Sequence, residues 1–118
     1  MQRISIVLLG AGLTCSVAAA QTGKEPRTRF WNLTANTVQE FYLSSAGKNE
    51  WGPNQCKNDK DGEVDHRERP TITGVQSGHY DARLIDRKGR SCIVRNIEIK
   101  EGAVFSIEEN QLKNCTRR

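Results

Sequence analysis

The sequence predicts an all-β protein, a small antiparallel β-sandwich or partly open barrel of about six strands with one long acidic loop. Short runs rich in β-branched and aromatic residues recur between residues 29 and 109, separated by turn residues and without a long amphipathic helical pattern. Removal of the first 20 residues from the 118-residue chain leaves 98 residues, which are enough for one hydrophobic core. We therefore expect a single domain over residues 29–115.

The first 20 residues have the pattern of a secretory signal peptide. Arg3 precedes an apolar run, and Ala18 and Ala20 supply the small residues that a signal peptidase requires. The run is too short and too rich in small residues for a convincing membrane span, which needs about 20 mostly apolar residues. We expect a signal peptide at 1–20, a flexible segment at 21–28, and a periplasmic or secreted mature chain with no membrane span.

The first half of the domain contains three strand-like runs. Residues 29–34 and 37–44 are separated by Ala35-Asn36, which suits a tight turn, so they predict a first hairpin. Residues 70–75 form a shorter run that begins with proline, which restricts it to an edge position.

The second half predicts three more strands. Residues 78–86 alternate, with Tyr80, Ala82 and Leu84 on one face, so one face of this strand is buried. A DRKG turn leads into the next strand over 91–99.

Asn96-Ile97 interrupts the alternation of that strand, and a bulge there would return Ile97 and Ile99 to the core. Residues 103–109 form the last strand, and 110–114 have the composition of a short helical turn.

Two motifs stand out in the mature chain, a WGPNxC loop and a YDxxLxDxxGRxC hairpin. They comprise Trp51-Gly52-Pro53-Asn54, Tyr80-Asp81, Asp86, Gly89-Arg90, Cys92 and Cys115. Together they resemble a family of small exported proteins of Gram-negative bacteria that have no assigned activity, and the resemblance covers nearly the whole mature chain. The resemblance implies a compact periplasmic β-domain and implies no catalytic or binding residues.

Three cysteines of the mature chain are predicted to be neighbours. If successive strands run up and down, the 45–69 loop, the 87–90 turn and the C-terminal tail lie at one end, which gathers Cys56, Cys92 and Cys115. In an oxidising compartment this arrangement indicates one disulfide and one free thiol.

Two pairings of these cysteines remain open. Cys92–Cys115 would close a short loop, whereas Cys56–Cys92 would anchor the long loop, and the length of that loop favours the second pairing. A zinc site of these cysteines with His66 is disfavoured, because no two cysteines lie two to four residues apart.

The acidic loop invites comparison with a calcium-binding loop. Within residues 57–68, four acidic residues occupy the third, fifth, ninth and twelfth places, where oxygen ligands belong: Asp59, Asp61, Asp65 and Glu68. Gly62 and Val64 match the turn glycine and the apolar eighth place. Lys57, however, occupies the first place, and neither flank has a helical pattern. We favour a solvated loop balanced by basic neighbours, with a site for calcium or another hard cation such as a lanthanide as the alternative.

The distribution of charge along the chain argues against some classes of binding partner. Removal of Arg3 from the 18 basic residues leaves 17 against 14 acidic ones, a net charge of +3. The basic residues form no stripe of the kind that binds a nucleic acid, so no nucleic-acid partner is expected. Residues 86–90 and the terminal Arg117-Arg118 concentrate positive charge, which we interpret as a hairpin tip and a chain end rather than an anion site.

No catalytic constellation is recognisable, since the two histidines are predicted at opposite ends of the domain. The sequence thus favours a non-enzymatic binding or interaction module, with no cofactor, whose partner is an unknown protein or cell-envelope ligand. An envelope enzyme or an enzyme inhibitor is the poorer alternative. The predicted interaction surface comprises Trp51, Asn54, Arg87 and Arg90.

Overall fold

The computed structural model describes residues 26–117, so the predicted signal peptide lies outside the described residues. This part of the chain is all-β, with six strands in two sheets that do not close into a barrel. The strands are β1 (Arg29–Leu33), β2 (Val38–Ser45), β3 (Gly78–Asp86), β4 (Arg90–Ile99), β5 (Val104–Glu108) and β6 (Lys113–Arg117). The predicted all-β class is confirmed. No helix within residues 26–117 is long and apolar enough to cross a membrane.

The two sheets differ in the direction of their strands. The larger sheet has the order β2-β3-β4-β6 and is antiparallel. The smaller sheet pairs β1 with β5 in parallel, with Phe30 opposite Phe105 and Asn32 opposite Ile107. The prediction of an antiparallel arrangement throughout was therefore wrong for this pair.

Three phenylalanines join the sheets at the centre of the core. The ring of Phe30 in β1 stacks on that of Phe41 in β2, with centroids 4.2 Å apart and planes 8° apart. Phe105 in β5 lies 5.7 Å from Phe30 and 6.3 Å from Phe41. Large aromatic side chains contribute most to burial in a domain of this size, so this cluster holds the two layers together.

The predicted hairpin of the first two strands does not form. Both edges of β1 are already occupied, one by β5 and the other by the segment before Thr71, because Phe30 N donates to Pro70 O and Asn32 N donates to Glu68 O. No free edge remains for β2. The chain instead crosses at residues 34–37 from the small sheet to the large one.

The predicted strand at 70–75 is also absent, apart from a single bridge between Arg29 and Thr71. Instead, side chains of the 3-10 turn Gln55–Asn58 hydrogen-bond to the backbone of residues 71 and 73. The Gln55 amide donates to Thr73 O and accepts from Thr73 N, and Asn58 Nδ2 donates to Thr71 O. These bonds add to the backbone bonds on the β1 side, where Pro70 O accepts from Phe30 N and Ile72 N donates to Thr28 O.

The hairpin of β3 and β4 matches the sequence prediction. Gly89 closes the turn at φ 84°, a conformation that glycine adopts without a Cβ penalty. The register shifts between Tyr80 and Ala82, where Asn96 bulges out at φ 59°. The bulge leaves Ile99 fully buried, as predicted.

The C-terminal strand is held to β4 by a disulfide. Cys92 pairs with Cys115, so the favoured pairing of Cys56 with Cys92 was wrong. The long loop needs no disulfide anchor, because Cys56 is itself a core residue and its turn is hydrogen-bonded to the sheet. The bridge closes a loop with a sequence separation of 23, worth about 3 kcal/mol in the chain-entropy model. A 3-10 turn at Glu109–Gln111 precedes β6, close to the predicted helical turn.

The state of Cys56 gives a testable prediction. Its side chain is fully buried, and burial together with the charges of Asp59, Glu40 and Glu63 raises the pKa of the thiol to about 12. Since only the thiolate is nucleophilic, native protein should not react with iodoacetamide at pH 8. After denaturation without reductant, one thiol should react within residues 21–118, and mass spectrometry should place the label on Cys56.

A Cys56→Ala variant is the matched control and should take up no label in that region. Rapid labelling of the native protein, or label on Cys92 or Cys115 without reductant, would contradict the arrangement.

Candidate functional site

One end of the domain gathers three connections that are distant in the sequence. We call it the polar end and define it as residues 34–37, 63–68 and 86–90 together with Glu109 and Arg117. Backbone bonds tie the parts together, since Val38 and Val64 form a two-way bridge and Arg87 N donates to Thr37 O. Arg117 Nη1 also donates to Lys88 O. The prediction that the 45–69 loop, the hairpin turn and the C-terminal tail share one end is therefore confirmed for the second part of the loop, whereas Ala46 at its start bonds to His79 at the opposite end.

Asn32 shapes the crossing between the sheets from inside the protein. Its side chain is fully buried, and its Nδ2 donates to Val64 O and Asn36 O. Its Oδ1 accepts hydrogen bonds from the backbone N–H and the hydroxyl of Thr34. Every polar atom of the amide is thus satisfied, and residues 34–37 are fixed against residue 64.

Asp86 performs the corresponding role for the hairpin turn. Its buried carboxylate accepts hydrogen bonds from the backbone N–H groups of Lys88 and Arg90, both at 3.0 Å. It also accepts from Arg90 Nε at 2.8 Å and from Asn36 Nδ2 at 3.2 Å. A single carboxylate therefore joins the hairpin turn to the crossing.

Arg90 extends this network to the C-terminal part of the chain. Its Nη1 lies 2.8 Å from Glu109 Oε2, and Glu109 Oε1 accepts from Ala35 N. Hydrogen bonds from the Arg90 guanidinium, and then from Ala35 N, hold the pKa of Glu109 below its ordinary value. Hydrogen bonds to Glu109 and Asp86 raise the pKa of Arg90 in turn, so the guanidinium and both carboxylates stay ionised.

Two buried aspartates have lowered pKa values for the same physical reason. Burial alone would raise the pKa of Asp86, but the hydrogen bonds from Arg90 and Asn36 lower it overall. Asp81, at the other end of β3, is likewise buried, and its pKa is lowered by hydrogen bonds from Gly47 N, Asn96 N and Arg95. Both carboxylates are held ionised inside the protein.

Charged and polar groups at the surface of the polar end also form pairs, but these pairs are exposed to solvent. Arg87 Nη2 lies 2.6 Å from Glu63 Oε2, and the Arg87 side chain remains 58% exposed. Thr37 Oγ1 donates to Asp65 Oδ1, and His66 Nδ1 lies 2.8 Å from Thr34 O. Exposed ion pairs contribute about 0 to 1 kcal/mol each to the free energy of unfolding, so the buried network stabilises this end more than they do.

Three of the four predicted cation ligands come together. One carboxylate oxygen each from Asp59, Asp61 and Glu68, which we call the acidic triad, lie within 4.8 Å of one another. Asp61 is exposed and the other two are half-buried. Asp65 is not part of the triad, since its carboxylate accepts the Thr37 hydroxyl.

The loop around the triad has some features of a calcium-binding loop. Gly62 adopts φ 74°, as a turn glycine requires, and Val64 is buried and bridged to Val38. Asp59 Oδ2 accepts from Asp61 N, and Glu68 Oε1 accepts from Asp65 N. The flanks differ from that motif, because a single 3-10 turn precedes the loop and no helix follows it within the described residues.

The four residues of the predicted interaction surface have different roles. Asn54 caps the 3-10 turn, and its Oδ1 accepts from Phe41 N and Cys56 N. Trp51 is half-buried. Arg87 and Arg90 belong to the polar end, where Arg87 is exposed and Arg90 is engaged with two carboxylates.

Sequence reasoning missed three of the polar residues that build this end, Asn32, Thr34 and Glu109. Asn32 lies two residues before Thr34, and this spacing, which is typical of a side-chain-capped turn, is the signal that could have identified both residues. Glu109 carried no signal, since its partners Arg90 and Ala35 are distant in the sequence.

The two histidines lie at opposite ends of the domain. His66 lies at the polar end beside Thr34, whereas the backbone of His79 pairs with Ala46 at the opposite end. Within residues 26–117, no hydrogen bond joins either histidine to a serine or cysteine side chain.

Comparison of the chain with protein-family models, curated proteins and solved structures found no match.

The lowered pKa values of Asp81 and Asp86 predict an acid-sensitive fold. The unfolded chain binds these protons near the ordinary pKa of about 3.9, and the folded chain binds them only at lower pH. Their contribution to the free energy of unfolding is therefore complete above about pH 5 and declines as the pH falls through the folded pKa values. Urea unfolding between pH 7 and pH 2 should show this decline.

Asp86→Asn should unfold more easily than the wild type at pH 7 and should show a shallower decline in acid. An acid slope identical to that of the wild type would show that Asp86 is not ionised in the folded protein.

Proposed function

We propose that this chain is an exported, non-enzymatic binding domain and that the polar end is its ligand-binding surface. The observation that carries the proposal is that three connections and the C-terminal strand are fixed at one end by buried polar groups while exposed charged side chains surround them. Binding surfaces are commonly built from loops that a rigid scaffold positions. Export agrees with the Cys92–Cys115 disulfide, since such bonds persist in oxidising compartments, and the family resemblance favours the periplasm.

Preorganisation supports a binding role. Ordering flexible side chains and loops on association costs about 0.5–1.5 kcal/mol per immobilised side chain. At the polar end much of this ordering is complete before a ligand arrives, because Asn32 and Asp86 hold the crossing and the hairpin turn. The exposed Arg87 and Lys88 then extend from a fixed backbone.

Site-specific photocrosslinking tests the proposal. A photoreactive phenylalanine analogue would replace Arg87 at the polar end, and a matched variant would carry it at the exposed Glu101, near the opposite end. Irradiation of the producing cells should give a discrete adduct from position 87, seen by gel and intact mass, and none from position 101. The absence of an adduct at 87, or the same adducts from both positions, would contradict the polar end as the binding surface.

Cation binding is a second candidate function, and the acidic triad is the observation that favours it. Oxygen ligands within 4.8 Å of one another match the chemistry of calcium, which takes carboxylate and carbonyl oxygens. An ion would also relieve the mutual repulsion of the three carboxylates. In this function Asp59, Asp61 and Glu68 would hold the ion and stiffen residues 59–68.

Thermal unfolding in calcium and in chelator decides this candidate. A bound ion at one hundred times its dissociation constant adds about 2.7 kcal/mol of stability, so the melting temperature should rise by several degrees in calcium. The triple change Asp59→Asn, Asp61→Asn and Glu68→Gln should abolish the rise. A matched control, with Glu50, Glu98 and Glu101 changed to Gln, removes the same charge elsewhere and should keep it. Equal wild-type melting temperatures in calcium and in chelator would remove the candidate.

A further inference from the structure

Two concentrations of positive charge that are distant in the sequence meet at the polar end. Arg117 in β6 extends its guanidinium to the hairpin turn, where Nη1 donates to Lys88 O at 2.9 Å. Arg90 pairs with Arg117 in the ladder of β4 and β6. The sequence suggested an unrelated hairpin tip and chain end, whereas the structure makes them one surface.

An open pocket of about 510 Å³ lies between this surface and the crossing. We call it the cationic pocket, and its lining residues are Ala35, Asn36, Thr37, Arg87, Lys88 and Arg117. Three of the six carry a positive charge, two carry short polar side chains and none is acidic. A pocket of this composition suits an anionic group better than an apolar ligand.

The nearby carboxylates leave part of this charge unmatched. Asp86 and Glu109 are engaged with Arg90, and Glu63 is engaged with Arg87. Within residues 26–117, no carboxylate lies within ion-pair distance of Lys88 or Arg117. These two cations are therefore available to a ligand.

The fold holds the backbone of the hairpin turn and the guanidinium of Arg117 in place. The Cys92–Cys115 disulfide attaches β6 to β4, and hydrogen bonds from Lys88 N and Arg90 N to Asp86 fix the turn. Arg117 is positioned by its bond to Lys88 O. The backbone of Lys88 and the guanidinium of Arg117 are therefore already in place at the pocket, which lowers the entropic cost of binding a ligand there.

We propose that the cationic pocket binds a carboxylate or phosphate group of a small anionic ligand, with Lys88 and Arg117 as its principal contacts and Arg87 at the rim. A guanidinium presents a planar fork of donors that matches either group, and the lysine ammonium adds a point charge. This inference rests on the proposed function, since it names the ligand chemistry of the same end of the domain.

Titration of the purified protein, followed by amide NMR, tests the proposal. Inorganic phosphate and succinate are the two probes, and sodium chloride keeps the ionic strength constant so that general screening does not change. The amides of Thr37, Arg87, Lys88 and Gly89 should shift and saturate. In the variant Lys88→Gln/Arg117→Gln, the dissociation constant should rise by about tenfold or more, because two charge-assisted contacts are lost.

The control variant Lys48→Gln/Lys100→Gln removes two exposed positive charges near the opposite end and should bind like the wild type. The single variant Lys88→Gln, an exposed change, should also weaken binding even if the change at Arg117 loosens β6. Saturation with phosphate alone or with succinate alone would support the site and identify its anion.

The absence of saturable shifts with either probe, or equal weakening in the control variant, would overturn the anion site. That result would leave the polar end open to a partner of other chemistry, whereas failure of the crosslinking at position 87 would refute the binding surface itself. The two failures are therefore distinguishable.

Discussion

The buried carboxylate of Asp86 is the constraint on which the polar end depends. Removing an ionised carboxylate from water costs several kcal/mol, so the charge must be matched inside the protein. The four hydrogen bonds from Lys88 N, Arg90 N, Arg90 Nε and Asn36 Nδ2 supply that match. Hydrogen bonds to charged groups contribute about 1.5–3 kcal/mol each, so together they offset the cost. The groups that satisfy Asp86 are the ones that fix the shape of this end.

The other end of β3 uses the same device with a different result. Asp81 is satisfied by Gly47 N, Asn96 N and Arg95 Nη1, which fixes the bulge and the end of β2. That end receives no C-terminal strand. The polar end in contrast also receives Arg117 and the 63–68 segment, so the acidic triad and the cationic pocket both lie on or beside it. Two buried charges on one central strand thus stabilise the fold, and the chain connections decide which of its ends becomes the polar end.

The sequence predicted the individual strands and turns better than it predicted which strands pair with each other. The alternation of residues 78–86, the glycine turn and the bulge at Asn96 are local signals, and the structure contains all three. The parallel pairing of β1 with β5 had no local signal, because it depends on which strand finds the free edge of β1. The acidic triad was partly predictable from spacing, but spacing could not show that Asp65 accepts the Thr37 hydroxyl instead. Cys92 and Cys115 were candidates, and their pairing required the position of β6, which no run of residues indicated.

Hydrogen exchange at single amides tests the central claim, that Asp86 holds the polar end as one unit. In the wild type, the amides of Lys88, Arg90 and Ala35 should exchange slowly, since each donates to a carboxylate of the network. In Asp86→Asn all three should exchange faster, including Ala35, which is linked to Asp86 through Arg90 and Glu109 and lies next to Asn36, a direct partner of Asp86. The amides of the β3 and β4 ladder report that the variant is still folded. Unchanged exchange at Ala35 in a folded Asp86→Asn protein would contradict the account.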